Sequence, residues 1–375
     1  MPAEHILVRG VNWLGDAVMA TPALLRLREA KPSATITLLS PGKLADLWLG
    51  HPAVDEVVAW GKGEGAWAVA RRLRAGRFDQ AVVFPNSFRS ALEVWLAGIP
   101  IRLGYRGNGR SFLLTRRVPR RADEIRMRKR SPSEIHRLAA GPAQPAANIP
   151  PGAHHIHQYL RLTAEWGASP EPTPPLLVAT PEEKGRFAAR FGLAPGVGQP
   201  VVGLNAGAEY GPAKRWPLER FAEVVGKLDP SHRPAWVIFG GGADRELAAR
   251  LAALIQTATP ASREGRLANV AGETNLRELC AGLASCDALL TNDTGPMHVA
   301  AALGVPVVVP FGSTSPELTG PGLPGDPQHA LLRHPTPCAP CFLRACPIDF
   351  RCMGALDSDM AASALRSRLP GPPPR

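Results

Sequence analysis

No run in this 375-residue chain approaches the ~20 apolar residues that a membrane-spanning helix needs. The opening MPAEHILVRG lacks the pattern of a secretory signal, so the expected compartment is the cytoplasm. Cysteine is sparse at six residues, and four of them crowd into one tail segment, unlike a secreted disulfide scaffold. Aromatic residues reach only 6%, and the most basic stretch, from Arg116 to Arg130, contains none. That removes the stacking platform of a single-strand nucleic-acid binder. Acidic residues are also short: 32 Asp and Glu against 43 Lys and Arg leave a formal charge of +11. Such an excess predicts an acidic partner, whether a phosphorylated substrate, an anionic membrane or nucleic acid.

What is present describes a globular chain. Hydrophobic residues at 45% and charged residues at 20% are ordinary values, and the length suits two domains better than one core. The most informative stretch is 288–321, ALLTNDTGPMHVAAALGVPVVVPFGSTSPELTGP. Its apolar start predicts a buried strand over 288–291, broken by Asn292-Asp293-Thr294-Gly295-Pro296. Helix formers follow from Met297 to Leu303 and stop at Gly304, and 305–311 is a second strand. Two strands joined by so short a helix should lie parallel in one sheet. Pro296 suits the first helical position, and Asp293 or Thr294 can cap. The free N–H groups of such a helix, beyond the carboxyl ends of the strands, suit a phosphate. The plainer reading makes Asp293 and Thr294 caps and His298 a polar residue of the first turn.

The first half alternates strand and helix: strands over His5–Arg9, 35–39 and 80–84, helices over 17–30, Ala66–Arg74 and 90–96. This predicts a doubly wound parallel sheet. After the first strand comes Gly10-Val11-Asn12-Trp13-Leu14-Gly15-Asp16, which fits neither the Walker loop nor the Gly-x-Gly-x-x-Gly fingerprint. Asp16 reads as a helix cap or as a carboxylate at the strand end. Pro85-Asn86-Ser87-Phe88-Arg89 follows another strand, so it falls on the same sheet edge. Residues 98–109, GIPIRLGYRGNG, read as a Gly-rich loop carrying Arg102 and Arg106. The run from Arg116 to Arg130 holds eight Lys or Arg against Asp123 and Glu124, supplying +6 of the +11. With the Pro, Ala and Gly that follow, residues 119–152 read as a basic, largely flexible insertion. It is either a solvated face or a clamp on an anionic membrane. His154, His155 and His157 read as surface residues of an amphipathic helix, with metal the weaker alternative.

SPEPTPP at 169–175 is the best linker, and a second α/β run follows. Strands are expected over 200–205 and 235–239, and helices over 218–228 and 245–255. Lys214 and Arg215 stand at a strand-to-helix turn, where cations can neutralise a diphosphate. Gly240-Gly241-Gly242 lets a ligand approach the backbone before Asp244. Cys338, Cys341, Cys346 and Cys352 form a candidate structural metal site, with a disulfide or free thiols as the alternatives. A last helix is expected over 356–369.

Four of these stretches carry a resemblance. TNDTGPMHVAAALGVPVVVPFGSTSPE resembles the donor-site signature of the ADP-heptose:lipopolysaccharide heptosyltransferases, glycosyltransferase family 9, with Pro296 where Leu is common. NWLGDAVMATPAL is similar to that family's first motif, and GPAKRWP to its second-domain motif. The segment from Pro85 to Ala91 is similar to the type II members. The resemblance implies a GT-B fold, two Rossmann-like domains facing a central cleft. Residues 1–170 would bind acceptor, 171–352 would bind ADP-sugar, and 353–375 would return to the first domain. It implies an inverting, metal-independent transfer of L-glycero-D-manno-heptose from ADP-heptose to the lipopolysaccharide inner core. The second heptose, onto heptosyl-Kdo2-lipid A, is favoured over another core position. No cofactor or nucleic-acid partner is expected, and the enzyme would work peripherally at the inner face of the cytoplasmic membrane. Asp16 matches the family's proposed base, and Lys214 its donor lysine with a catalytic share. Asp244 (Glu246 as fallback), Asp293, Thr294, Gly295 and His298 would complete the donor site. Asn86, Ser87, Arg89, Arg102 and Arg106 would hold acceptor. A sugar-nucleotide epimerase on the same fold is the alternative; it would turn over donor without acceptor.

Overall fold

The computed structural model describes residues 4–121, 124–142, 149–193, 199–258 and 267–370. Asp123, residues 143–148 of the basic insertion and the tail from 371 lie outside them. The chain divides into two units: 1–125 with 152–178, and 126–151 with 179–375. Among the described residues each unit holds one six-stranded sheet.

In the first unit the strands are β1 (His5–Arg9), β2 (Thr35–Pro41), β3 (Glu56–Trp60), β4 (Gln80–Val83), β5 (Ile101–Tyr105) and β6 (Arg116–Val118). Their order is β3-β2-β1-β4-β5-β6, and every pairing is parallel. Parallel strands need covered faces, and Leu7, Ala81 and Val83 pack on Val69, Leu73, Ala91 and Val94 of the crossover helices Ala66–Arg74 and Phe88–Leu96. The second unit repeats the plan with β7 (Val201–Asn205), β8 (Ala235–Ile238), β9 (Leu267–Asn269), β10 (Ala288–Thr291), β11 (Val307–Phe311) and β12 (Ala330–Arg333). The order β12-β11-β10-β7-β8-β9 is the same pattern counted from β7, again all parallel. Strand order therefore reverses beside β1 and β4 in one unit and beside β7 and β10 in the other. Those are the positions where open α/β sheets bind ligands.

Three sequence expectations change. Residues 101–105 are strand β5, not part of a loop: Gly104 lies in the sheet, where an added Cβ would come within 3.4 Å of Arg110 and Leu114. The basic insertion contains an ordered helix, Pro132–Ala139, capped by Ser131 and carrying the buried Ile135. Arg130 N–H donates to Cys341 O at 3.0 Å, and Arg351 donates to Ala139 O at 2.9 Å, so this helix belongs to the second unit. Charge and Pro content had outweighed one amphipathic turn pattern. The last helix, Ser358–Arg366, also stays in the second unit, where Leu356, Ala361 and Leu365 join a core with Trp216, Phe221 and Leu290. Trp216 Nε1 donates to Leu356 O at 3.0 Å, anchoring the segment before that helix to the second unit's core.

Candidate active site

In the second unit, β7 and β10 end side by side and carry the two loops that matter. Asn292 is fully buried; its Oδ1 accepts from Trp216 N–H at 3.0 Å and its Nδ2 donates to Ala206 O at 2.8 Å. These bonds lock the Lys214 loop to the 292–298 loop. Lys214 Nζ then lies 2.7 Å from Asp293 Oδ2, which also accepts from Thr314 Oγ1 at 2.5 Å. Asp293 is 4% exposed and Lys214 13%, so the ammonium is held on a short leash with one side open. Tyr210 lies under it, with Nζ 5.0 Å from the ring centre, and the Arg344 guanidinium is 5.3 Å from the same ring.

The helix Gly295–Ala302 begins at this point. Thr294 is its N-cap residue but makes no side-chain capping bond, and Asp293 is turned to Lys214. The capping explanation of these two residues therefore fails. His298 is buried within that helix. Asp244 reaches the same place from β8: its Oδ2 accepts from Gly241 N–H at 3.0 Å. A Cβ at Gly207 would meet the Asp244 carboxyl group at 2.6 Å, so this close approach needs glycine. Glu246 is exposed on the following helix, which favours Asp244.

In the first unit, Asp16 lies in the first turn of the helix Leu14–Met19, whose N-cap is Trp13 with no side-chain bond. Asp16 is therefore not the cap. Its Oδ1 accepts from Tyr159 O–H at 3.4 Å, and His155 Nε2 lies 3.7 Å from the same oxygen. The carboxylate remains 29% exposed. Burial, then the nearby Asp16 charge, pushes the Tyr159 phenol well up, so it stays a donor. Burial lowers His155 below the usual imidazole range, although Asp16 pulls the other way.

Upstream, Arg9 and Glu93 form a buried pair at 2.9 Å, 2% and 0% exposed. Arg9 Nη1 also donates to Gly10 O at 2.6 Å and Asn12 Oδ1 at 3.0 Å, which fixes the loop leading to Asp16. A narrow pocket lies within this unit, lined by Asn86, Tyr105, Arg120, Arg121, Glu124 and His157 among others.

A model of glycosyltransferase family 9 (heptosyltransferase) matches residues 66–131 and 133–350. The chain belongs to that family. It is 33% identical over 330 residues to lipopolysaccharide heptosyltransferase 2 of Escherichia coli K12, covering 84% of this chain and 85% of that protein. It is 29% identical to lipooligosaccharide heptosyltransferase 2 of Haemophilus influenzae, over 84% and 86%. Among solved structures, ADP-heptose lps heptosyltransferase II of E. coli superposes with a TM-score of 0.76 at 29% identity, covering 97% of this chain and 98% of that one. The glycosyl transferase family 9 protein of Veillonella parvula gives 0.69 at 25% identity, over 88% and 85%. The molecule is accordingly a glycosyltransferase with the two-domain α/β fold of heptosyltransferase structures.

Within this family frame, the acceptor candidates divide. Asn86 lines the pocket, its Oδ1 accepting from Arg110 at 3.0 Å, and Arg106 is exposed beyond β5. Ser87 caps the helix Phe88–Leu96 by accepting from Ser90 N–H at 3.2 Å, the plainer role. Arg89 is engaged by Glu93 at 2.8 Å and by Glu64 O at 2.5 Å. Arg102 is turned into the fold, donating to the carbonyls of Leu113 and Ile99. It is a strand residue tying its own sheet edge, and not a loop cation. The histidines read as surface residues are half-buried or, for His154, 1% exposed. Tyr159 escaped sequence reading, and so did the partnership of His155 with Asp16; only the i,i+4 spacing from the N-cap His155 to Tyr159 in the helix Ile156–Ala164 hinted at a shared face. Arg110, fully buried and donating to Tyr105 O at 3.0 Å, was missed as well.

The four tail cysteines are free thiols around one small cavity with Ser313 and Ala213, and burial pushes Cys352 up to about 12. Among the described residues, no three His, Cys, Asp or Glu are grouped to hold a metal ion. The Asp357-Ser358-Asp359 triplet matches an Asp-x-Asp pattern in sequence, but Asp357 caps the last helix and Asp359 pairs with Lys227 at 2.6 Å.

Proposed function

We propose that this chain moves L-glycero-D-manno-heptose from ADP-heptose to the inner core of lipopolysaccharide, with inversion and without a metal ion. The names of its relatives and of the superposed E. coli structure support both substrates, and the type II relatives favour the second heptose, on heptosyl-Kdo2-lipid A. The observation that carries the chemistry is the uncapped Asp16 carboxylate, half-open and faced by Tyr159 and His155. Asp16 takes the proton of an acceptor hydroxyl as its oxygen bonds to the anomeric carbon. The carbon–oxygen bond to the β-phosphate breaks, and the electron pair leaves with ADP. Lys214 and the N–H groups of the helix Gly295–Ala302 neutralise the departing diphosphate. Asp293 and Thr314 hold that ammonium in place, and Asp244 serves the nucleotide ribose.

The acceptor is held on the first unit by the pocket of Asn86, Arg120 and Arg121, whose cations suit carboxylates and phosphates. Because that acceptor is lipid-borne, the enzyme works at the inner face of the cytoplasmic membrane. No helix among the described residues is long and apolar enough to cross one, so this attachment is peripheral. The test is incubation with ADP-heptose and a panel of core-truncated lipid acceptors, read by mass. A heptose-sized gain on the heptosyl-Kdo2 acceptor supports the reading. Donor turnover without any acceptor points instead to an epimerase.

A further inference from the structure

The described residues of the second unit expose no Trp, Phe or Tyr among their large hydrophobics, whereas the first unit exposes five. Trp13 is the N-cap residue of the helix that carries Asp16. The other four stand on two neighbouring helices and the turn Ser111–Leu113: Trp67 at 67%, Phe112 at 67%, Trp95 at 46% and Phe88 at 44% exposure. The helices that carry them run side by side, since Arg89 donates to Glu64 O at one end and Arg74 donates to Leu96 O at the other. The turn Ser111–Leu113 completes the patch, with the Phe88 and Phe112 rings 6.2 Å apart. Beside Trp67 stand exposed Arg71, Arg72 and Arg74, with exposed Lys62 and Arg77 in the flanking sequence, while Glu64 is engaged by Arg72.

Exposed aromatics set among arginines fit an interface that is apolar inside and anionic outside. A second copy of this chain fits poorly, because a self-complementary contact would set arginine against arginine. We propose that the face formed by the helices Ala66–Arg74 and Phe88–Leu96 with Phe112 is the membrane-docking surface, and that it seats on anionic phospholipid. This rests on the peripheral reading above but moves the contact away from the basic insertion. In the structure that insertion contributes Arg120 and Arg121 to a pocket and Arg130 to the second unit.

The experiment is co-sedimentation of the full chain with phosphatidylcholine vesicles with and without phosphatidylglycerol. The parent should bind the anionic vesicles, and salt should weaken binding. The triple variant Trp67→Gln, Trp95→Gln, Phe112→Gln should bind about tenfold less or weaker still, with unchanged turnover on a soluble truncated acceptor. Should the triple variant fold poorly, Arg71→Glu, read in the same assay, should show the same direction with a smaller loss. A parent that ignores anionic vesicles would overturn the peripheral reading itself. A parent that binds, with variants that bind equally, would overturn only this face. A parent dimer that the triple variant dissociates, with vesicle binding intact, would assign the face to a second copy.

Discussion

The two units share one strand order and put their chemistry at the same topological point, yet they treat a carboxylate there in opposite ways. Asp293, at the end of β10, is 4% exposed and bound to the Lys214 ammonium. Asp16, beyond the end of β1, is 29% exposed and meets a phenol and an imidazole that burial disfavours in their charged forms. A compensated carboxylate positions a cation; one faced by neutral groups can take a proton. The fold supplies the location, and the partner supplies the role.

That contrast breaks most sharply at Asp16. Asp16→Asn keeps the shape and can still accept from Tyr159, and no helix cap is lost. The expected result is a folded protein with near-normal ADP binding and turnover lowered about a hundredfold or more. Turnover within a few-fold of the parent would leave the base elsewhere. Next comes the support beneath it. Glu93→Ala would leave the Arg9 guanidinium buried without its anion, costing about 3–5 kcal/mol. Chemical denaturation should show that loss, and an unchanged midpoint would remove the pair from the account. In the second unit, Lys214→Ala should weaken ADP binding by about 1.5–3 kcal/mol, read by calorimetry. Here turnover and affinity should fall together, unlike Asp16→Asn; unaltered ADP affinity would sink the phosphate assignment.

The sequence made strands legible where apolar runs were uninterrupted: β1 and β10 have the expected limits. That Asp16, Lys214 and Asp293 follow β1, β7 and β10 in the chain could likewise be read from the sequence. What it concealed was contact across long separations. Tyr159 lies 143 residues from Asp16, and no spacing rule connects them. β5 was concealed differently, since Gly98, Gly104, Gly107 and Gly109 made a five-residue strand look like part of one loop. The basic run misled because composition cannot separate arginines that face solvent from Arg130, which is held against the Cys341 loop.

The smallest effect sharpens the comparison most, because it asks whether the neutral partners of Asp16 matter. Tyr159→Phe removes one hydrogen bond to the carboxylate and keeps the ring packed against Phe84, whose centre is 5.2 Å away. The expected cost in kcat is about 0.5–1.5 kcal/mol, up to roughly tenfold, with donor affinity unchanged. His155 faces the same carboxylate oxygen. Its folded pKa is lowered from 6.5, so it is neutral above that value in both folded and unfolded chains. As pH falls below 6.5 the unfolded chain protonates first, and stability is lost until the folded imidazole takes its proton. An imidazolium then stands 3.7 Å from Asp16. His155→Gln should therefore remove part of the stability loss below 6.5. If Tyr159→Phe leaves kcat unchanged and His155→Gln leaves the pH dependence of stability unchanged, the two residues are packing, and Asp16 works from its position alone.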